Sequence, residues 1–409
     1  MEPKTKEPTT SDRVNAWVKK INASSSFKGR AQVKMASEAR TPYYLRRPTG
    51  VLGLDIDLGG GLHAGGGTQI YGAESVGKTH LAFRTCGEHQ RIYGEDASIL
   101  VYSTEIRTDK SFARKSGFCV GYSEAEIEEF ETMRKIQGLP PFTKEEKADL
   151  LKSIGNVVLL AASTADDGLE ALVDALREDV FNIVVIESLG ALLPKDQEER
   201  DIGDMKPGGS ARVVTDFQNR IYPLFMLDRE DGRMLETTII GINQARAKMG
   251  FTGRGPTTKP AADAYAWKHG QLVSIELTRG KNIRPGDRKP VIGKEVNWKL
   301  TKGKAGTHDG KNGQFNFFHL AKGDPVLWSD VLEHHYGGID TATEAVDTAK
   351  RLGVIEMSGS WATWSYAEGK QIRKQGINNI AEDIAGDPKL LEILRDQCML
   401  VSGVMVRYR

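Results

Sequence analysis

Four apolar runs set the rhythm of the middle of the chain: Ser98-Ile99-Leu100-Val101-Tyr102, Asn156-Val157-Val158-Leu159-Leu160, Asn182-Ile183-Val184-Val185-Ile186 and Thr238-Ile239-Ile240-Gly241-Ile242. They are rich in β-branched residues and lack polar/apolar alternation, which is the pattern of strands buried on both faces. Stretches with helical spacing separate them. Together they predict an α/β fold in which a mostly parallel central sheet is flanked by helices. Gly67 to Tyr71 reads as one more strand of that sheet, and Thr79 to Arg84 as a helix that follows it. In such sheets ligand groups gather at the carboxyl ends of the strands, so those ends are where chemistry is expected.

The flanking segments have other patterns. Residues up to about Arg40 are polar and rich in Ser and Lys, with one amphipathic stretch, Val14, Trp17, Val18 and Ile21, at helical spacing. Its apolar face needs a partner, either this chain's own core or a neighbouring subunit. Ser123-Glu124-Ala125-Glu126 and Thr143-Lys144-Glu145-Glu146 each fit a capping box ahead of helical spacing, with Leu139-Pro140-Pro141 between them. These predict a charged helical hairpin inserted over about 122–154. After Gly338, a helical stretch from Asp340 to Leu352, an aromatic segment Trp361-Ala362-Thr363-Trp364-Ser365-Tyr366 and helices through Asp387-Pro388 to Met399 predict a small α/β domain. The division expected is an N-terminal arm over 1–48, a core over 49–337 and a C-terminal domain over 338–409.

With 409 residues the chain is long enough for one large domain with smaller ones appended, and a net charge of +1 supplies no global field for nucleic acid. Local patches do exist. Residues 1–47 carry eleven Lys/Arg against four Asp/Glu, and residues 279–304 carry nine against two. Cys86, Cys119 and Cys398 are odd in number and lack metal-ligand spacing, which suits small buried hydrophobes in a reducing compartment. The N-terminus has no apolar signal region and no run is long enough to cross a bilayer, so a cytoplasmic protein without a membrane partner is expected.

Against this background one octet stands out: Gly72-Ala73-Glu74-Ser75-Val76-Gly77-Lys78-Thr79 satisfies G-x-x-x-x-G-K-[ST] at every constrained position. The glycines let successive N–H groups turn inward onto phosphate oxygens. Lys78 reaches the β- and γ-phosphates, and the Thr79 hydroxyl can sit on Mg²⁺. The predicted strand before the octet and helix after it aim a helix N-terminus at the phosphates. A metal-orienting acid is expected at the end of an apolar strand, and Glu187 closes Ile183-Val184-Val185-Ile186. Glu105, just past the strand ending at Tyr102, is placed to act as base or orienting group for water. Gln244 ends a further strand within reach of the γ-phosphate. A loop from Ala245 to Lys259 follows at once, with Arg246, Lys248, Phe251, Gly253 and Arg254 interleaved without hydrophobic period, as a mobile DNA-backbone and base-wedge element requires. A second such loop, Asp201 to Ser210 followed by Arg212, carries Gly203, Met205, Lys206, Gly208, Gly209 and Ser210.

From about Gly53 to Met399 these residues resemble the RecA family of recombinases. The octet is close to the family's form. Glu105 through Asp109 to Phe112 and Gly117 resembles the segment that carries the catalytic Glu and the adenine-stacking aromatic, with Phe112 where Tyr is common. Glu199 to Asp204, ending in Ala211-Arg212, resembles the first DNA-binding loop. The segment from Ile242-Asn243-Gln244 to Arg246 and Lys248 resembles the γ-phosphate sensor that leads into the second. Lys302-Gly303-Lys304 resembles paired lysines that reach a neighbouring subunit's ATP. The resemblance therefore implies ATP held by Gly72 to His80 with Asp109 and Phe112, catalysis by Glu105, Lys78, Gln244, Lys302 and Lys304, and Mg²⁺ on Thr79 and Glu187. Several positions depart from the family pattern: Glu187 replaces Asp, His80 stands where a second Thr is frequent, and Asn219, beside Arg220, occupies a basic DNA-contact position. Pro260-Ala261-Ala262 replaces a Gly-Gly exit. The charged helical hairpin and the missing acidic tail suggest a divergent, phage-encoded member.

The expected function is a DNA-dependent ATPase that forms a homo-oligomeric filament on single-stranded DNA, pairs it with double-stranded DNA and catalyses strand exchange. A hexameric helicase-type motor on the same core is an alternative, but it usually completes its site with an Arg finger rather than a lysine pair. A coating protein in which ATP only sets filament geometry is the other, and ATP turnover with and without DNA separates it.

Overall fold

The computed structural model describes residues 9–27, 31–39, 45–104, 109–192, 194–195, 209–229, 232–247, 258–260, 267, 270–284, 289–304, 306–318 and 338–404, with backbone alone at 245–247 and 258–260. Helix α1 (Thr10–Ala23) opens on a capping box between Thr9 and Asp12, and none of its residues is buried. Its Trp17 side chain is 54% exposed, so the described core of this chain does not cover the apolar face. A ribbon of β1 (Arg46–Arg47) and β2 (Leu62–His63) encloses the short helix α2 (Leu52–Asp57).

The central sheet is built from β3 (Gly66–Gly72), β4 (Ser98–Ser103), β5 (Asn156–Leu160), β6 (Ile183–Glu187), β7 (Thr238–Ala247), β8 (Thr258–Pro260), β9 (Val273–Ile283), β10 (Gly293–Gly303) and β11 (Asn312–Phe318). Among the described residues the spatial order is β11, β10, β9, β3, β7, β6, β4, β5, with β8 paired to β7 off that path. Strands from β9 to β5 are parallel to their neighbours, whereas β10 and β11 add an antiparallel edge. The mostly parallel α/β sheet read from the apolar runs is the sheet observed.

Successive side chains of a strand leave on opposite faces, so each central strand feeds two cores. Ile99, Val101, Ile183, Val185, Ile240 and Ile242 point to the face covered by helix α3 (Lys78–Tyr93). Leu100, Tyr102, Val184, Ile186 and Ile239 point to the other, covered by α7 (Ala165–Glu178) and α8 (Gly209–Met226). Asn156 to Leu160 departs from the expectation of burial on both faces. Its Val158 and Leu159 are each 43% exposed, because β5 is the sheet's outermost strand on that side and lacks the cover its neighbours have.

Between β4 and β5 the chain forms α4 (Lys110–Lys115) and then the expected hairpin, α5 (Glu124–Ile136) and α6 (Lys144–Leu151), each started by its capping box. The hairpin has its own small core of Tyr122, Ile127, Phe142 and Leu150, with Phe130 against it. Gln90 of α3 ties both of its ends to the body: its amide donates to the Cys119 and Ile154 carbonyls at 2.9 and 2.7 Å and accepts from the Cys119 N–H at 2.8 Å. The C-terminal part, α9 (Thr341–Arg351), strands β12 (Ile355–Ser358), β13 (Trp361–Ala367) and β14 (Lys370–Gln375), and helices α10 (Asn378–Ala385) and α11 (Pro388–Val401), packs around Trp364, Ile380 and Leu394. Leu52 belongs to that same cluster, and the Glu344 carboxylate accepts from the N–H groups of Leu52 and Gly53 at 2.8 and 2.7 Å. The three cysteines are free and buried, as their spacing implies. Among the described residues no helix is long and apolar enough to cross a membrane.

Helix α3 lies so close to the Gly117-Phe118 turn that a Cβ on Gly87 would stand 1.9 Å from the Gly117 carbonyl oxygen. Gly to Ala inside a helix ordinarily stabilises by about 1 kcal/mol. Here the overlap reverses the sign, and we expect Gly87→Ala to cost about 1–3 kcal/mol in chemical denaturation. An unchanged or raised midpoint would show that α3 has room to shift.

Candidate nucleotide site

The octet forms the turn between β3 and α3 at the carboxyl edge of the sheet. The local geometry explains its residues. A side chain on Gly72 would meet the Leu277 carbonyl oxygen at 2.3 Å, and Gly77 holds φ at +107° as the N-cap of α3. Ser75 also has positive φ, 55°, so the loop turns outward and back within a few residues. The first N–H groups of α3 are thereby left facing the cleft, the arrangement that favours an anion.

Around this turn lies a cleft of about 740 Å³, lined by Glu74 to His80 together with Phe112, Glu187, Ser188, Ile242, Gln244, Lys294 and Phe317. The Lys78 ammonium donates to the Ala73 carbonyl at 2.7 Å, inside its own loop. Thr79 Oγ1 donates to the Glu187 carboxylate, so the longer side chain at the end of β6 comes up to the threonine itself. The ends of β4 and β6 are pinned by Thr104, whose N–H donates to the Glu187 carbonyl at 2.6 Å and whose hydroxyl accepts from the Ser188 N–H at 2.9 Å. Gln244 stands level with Gly72 in the parallel register of β3 and β7, which places it beside the start of the octet. Thr79 and Glu187 are oxygen donors suited to Mg²⁺, and among the described residues no cluster of three or more His, Cys, Asp or Glu offers another metal site.

The far wall is aromatic. His80 meets Phe317 and Phe112 edge to face, with ring centroids 4.8 and 5.7 Å apart. Its Nδ1 lies 2.7 Å from Ser116 Oγ, and that oxygen is also 2.8 Å from the Phe112 carbonyl, so the ring is tied to the start of α4. Burial first, and the nearby Arg84 second, lower the His80 pKa to about 3. Asp109 acts as the N-cap of α4, accepting from the Phe112 N–H at 3.0 Å, and does not line the cleft. It sets where Phe112 enters the wall.

Other expected residues lie elsewhere. Lys302 pairs with Ser274, which is level with Gln69 midway along β3, and the Lys304 N–H donates to the Leu272 carbonyl at 3.0 Å, so both stand back along the sheet from the octet and neither lines the cleft. Gly209 and Ser210 form the first turn of α8 rather than a loop, and Arg212 is exposed on that helix. Arg220 forms a two-pronged ion pair with Glu170 of α7. The loop expected from Ala245 does not begin there: β7 runs on to Ala247 and pairs antiparallel with β8, setting Arg246 opposite Lys259. A partner strand supplied from further along the chain leaves no periodic signal in Ala245 to Ala247. Glu105, Gly203, Met205, Lys206, Gly208, Lys248, Phe251, Gly253 and Arg254 lie outside the described residues, and Arg246 is described by its backbone alone.

Lys294 and Phe317 line the cleft without having been expected there. Lys294 donates to the Ser75 carbonyl and lies over the Phe317 ring. A signal existed: in β10 the residues Val296, Trp298 and Leu300 are buried on alternate positions, and Lys294 continues that parity.

The His80 environment yields a pH prediction. The folded chain keeps this ring neutral down to about pH 3, whereas an unfolded chain protonates it near 6.5. The unfolded state therefore binds the extra proton in that window, and the His80 contribution to stability rises with pH from about 3 to 6.5 and is level above. Between pH 6.5 and 5 the His80 contribution to the loss is roughly 2 kcal/mol. In melts across pH 5 to 7, His80→Thr should be less pH-dependent than the unaltered chain, and an equal slope would assign the effect to other groups.

A family model, the RecA N-terminal domain, matches residues 147–318. RecA proteins are similar over a longer span: that of Cereibacter sphaeroides is 27% identical over 358 residues, covering 87% of this chain and 84% of its own. That of Thermus thermophilus is 28% identical over 361 residues, covering 88% and 86%, and that of Bordetella petrii 28% over 363, covering 88% and 82%. With a phosphate loop at the edge of a mostly parallel sheet, the chain is similar to RecA proteins through nearly the whole length of these relatives.

Proposed function

We propose that the protein is a DNA-dependent ATPase that assembles on single-stranded DNA as a homo-oligomeric filament and catalyses homologous pairing and strand exchange with double-stranded DNA. The observation that carries this reading is the convergence on one cleft of the octet, the Thr79-Glu187 contact and Gln244, in a chain similar to RecA proteins over most of its length. ATP binding moves the Lys78 ammonium from the Ala73 carbonyl to the β- and γ-phosphates, while the loop and helix N–H groups hold the remaining oxygens. His80, Phe112 and Phe317 present ring edges and faces to the base. Thr79 and Glu187 hold Mg²⁺, which when bound neutralises charge on the β- and γ-phosphates.

Hydrolysis requires a group that orients water, and we assign it to Glu105. Lys302 and Lys304, distant from their own octet, serve the cleft of the next subunit, where positive charge stabilises phosphoryl transfer. The uncovered face of α1 fits an arm, residues 1–48, that docks on that neighbour. Gln244 passes the state of the γ-phosphate into the β7-β8 ribbon. Arg246, Lys248, Phe251, Gly253 and Arg254 contact DNA together with the segment from Gly203 to Arg212. Residues 49–337 and 338–409 are the core and C-terminal domain of this assembly.

ATP turnover with and without single-stranded DNA, paired with negative-stain imaging, tests the reading. We expect DNA-stimulated turnover and filaments for the unaltered chain, and neither for Lys78→Ala. Glu105→Gln should bind ATP and DNA normally and hydrolyse on the order of 10²- to 10⁴-fold more slowly. Closed rings in place of filaments would favour the motor, and DNA coating without turnover the passive coat.

A further inference from the structure

Lys294 enters the nucleotide cleft from a strand that has no part in the octet. It occupies the buried parity of β10, in line with Val296, Trp298 and Leu300, and only 6% of it is exposed. An ammonium at such a position loses rotamer freedom and hydration, whereas an apolar side chain would lose little. Its contacts do not offset that loss with opposite charge. The ammonium donates to the Ser75 carbonyl and lies 5.2 Å from the centre of the Phe317 ring, and no carboxylate among the described residues pairs with it. Burial first, then Arg279 and Lys78, pushes its pKa down, so its charge is held beside like charges rather than opposite ones.

The arrangement repeats that of Lys78. Each lysine places its ammonium on a carbonyl of the same octet, Lys78 on Ala73 and Lys294 on Ser75, two residues apart. A neutral carbonyl is a weaker partner for an ammonium than a phosphate oxygen, whose negative charge adds Coulomb attraction to the hydrogen bond. Both lysines are therefore held beside the phosphate turn on partners that an anion outcompetes. We propose that Lys294 is a second phosphate-binding cation of the cleft, supplied by the same chain, which exchanges the Ser75 carbonyl for the polyphosphate of the incoming nucleotide. The proposal rests on reading the cleft as an ATP site. It is separate from the lysines expected to act between subunits, since Lys294 and Lys302 lie toward opposite ends of β10 and only the Lys294 end adjoins the octet.

Equilibrium titration of the full chain with a fluorescent ATP analogue, and its displacement by inorganic tripolyphosphate, tests the assignment. The Lys294→Met variant keeps the length and packing of the side chain and removes its charge. We expect it to weaken both ATP and tripolyphosphate by about ten- to hundred-fold, the worth of a charge-assisted hydrogen bond, and to flatten the salt dependence of both affinities. Lys294→Gln should behave alike, and melting temperatures of the two variants identify any loss that comes from misfolding. Unchanged affinities in either folded variant would overturn the proposal. So would weakened ATP with unchanged tripolyphosphate, which would place Lys294 at the base, or weakened binding with an unaltered salt dependence, which would make it a clamp on the loop. If the unaltered chain bound neither ligand, the ATP reading itself would fall. If it bound both and Lys78→Ala did not, while Lys294→Met bound as the unaltered chain, the role of Lys294 alone would fall.

Discussion

Helix α3 has almost no solvent face, and the nucleotide site depends on that burial. From Lys78 to Gln90 nearly every residue is buried, polar ones included. A helix in this state cannot leave its polar side chains to water, so each fixes a direction by its partner. His80 bonds Ser116, His89 meets Asn182 Oδ1 at 3.0 Å, and Gln90 holds the ends of the hairpin. The octet is the N-terminal extension of this helix. Its N–H groups point at the cleft because everything C-terminal to them is locked against the sheet.

Charge follows the same organisation. On the far half of α3, Glu88 is buried among Arg84, Arg91 and Arg395, with Arg84 and Arg91 at 2.5 and 2.8 Å. Burial alone would raise its carboxyl pKa, but the three guanidinium groups hold it well below the usual carboxylate range. Arg395 belongs to α11, and Arg91 also reaches Glu392 of that helix at 2.6 Å. The C-terminal elements are thus joined through ion pairs to the helix that carries the phosphate turn. Removing one member of such a set leaves an unpaired buried charge, which costs more than the set itself contributes. At the near end of α3 cations gather instead: Lys78 and Lys294 both stand beside the turn, each donating to a carbonyl of the octet.

The same division separates what was legible in the chain from what was not. The apolar runs announced β4, β6 and β7 because strands covered on both faces need no alternation, and the capping boxes of Ser123 and Thr143 announced the hairpin because a cap is a contact over three residues. Contacts between distant segments carried no such mark. Nothing in Asn156 to Leu160 distinguishes an edge strand from a central one, since its place depends on which neighbours the other strands take. β7 could not be followed past Gln244, because β8, its partner there, is supplied from further along the chain.

By itself the sequence determined the phosphate turn: Gly72, Gly77, Lys78 and Thr79 act within eight residues, and their backbone requirements are local. It also determined that a mostly parallel sheet would carry this turn at a carboxyl edge. Only the tertiary structure decided which side chains complete the cleft. Glu187 reaches Thr79 across 108 positions and Lys294 reaches Ser75 across 219, and both pairs exist because β6 and β10 end at the level of the octet. Strand order and register set that level, and they are properties of the packed sheet rather than of any one segment.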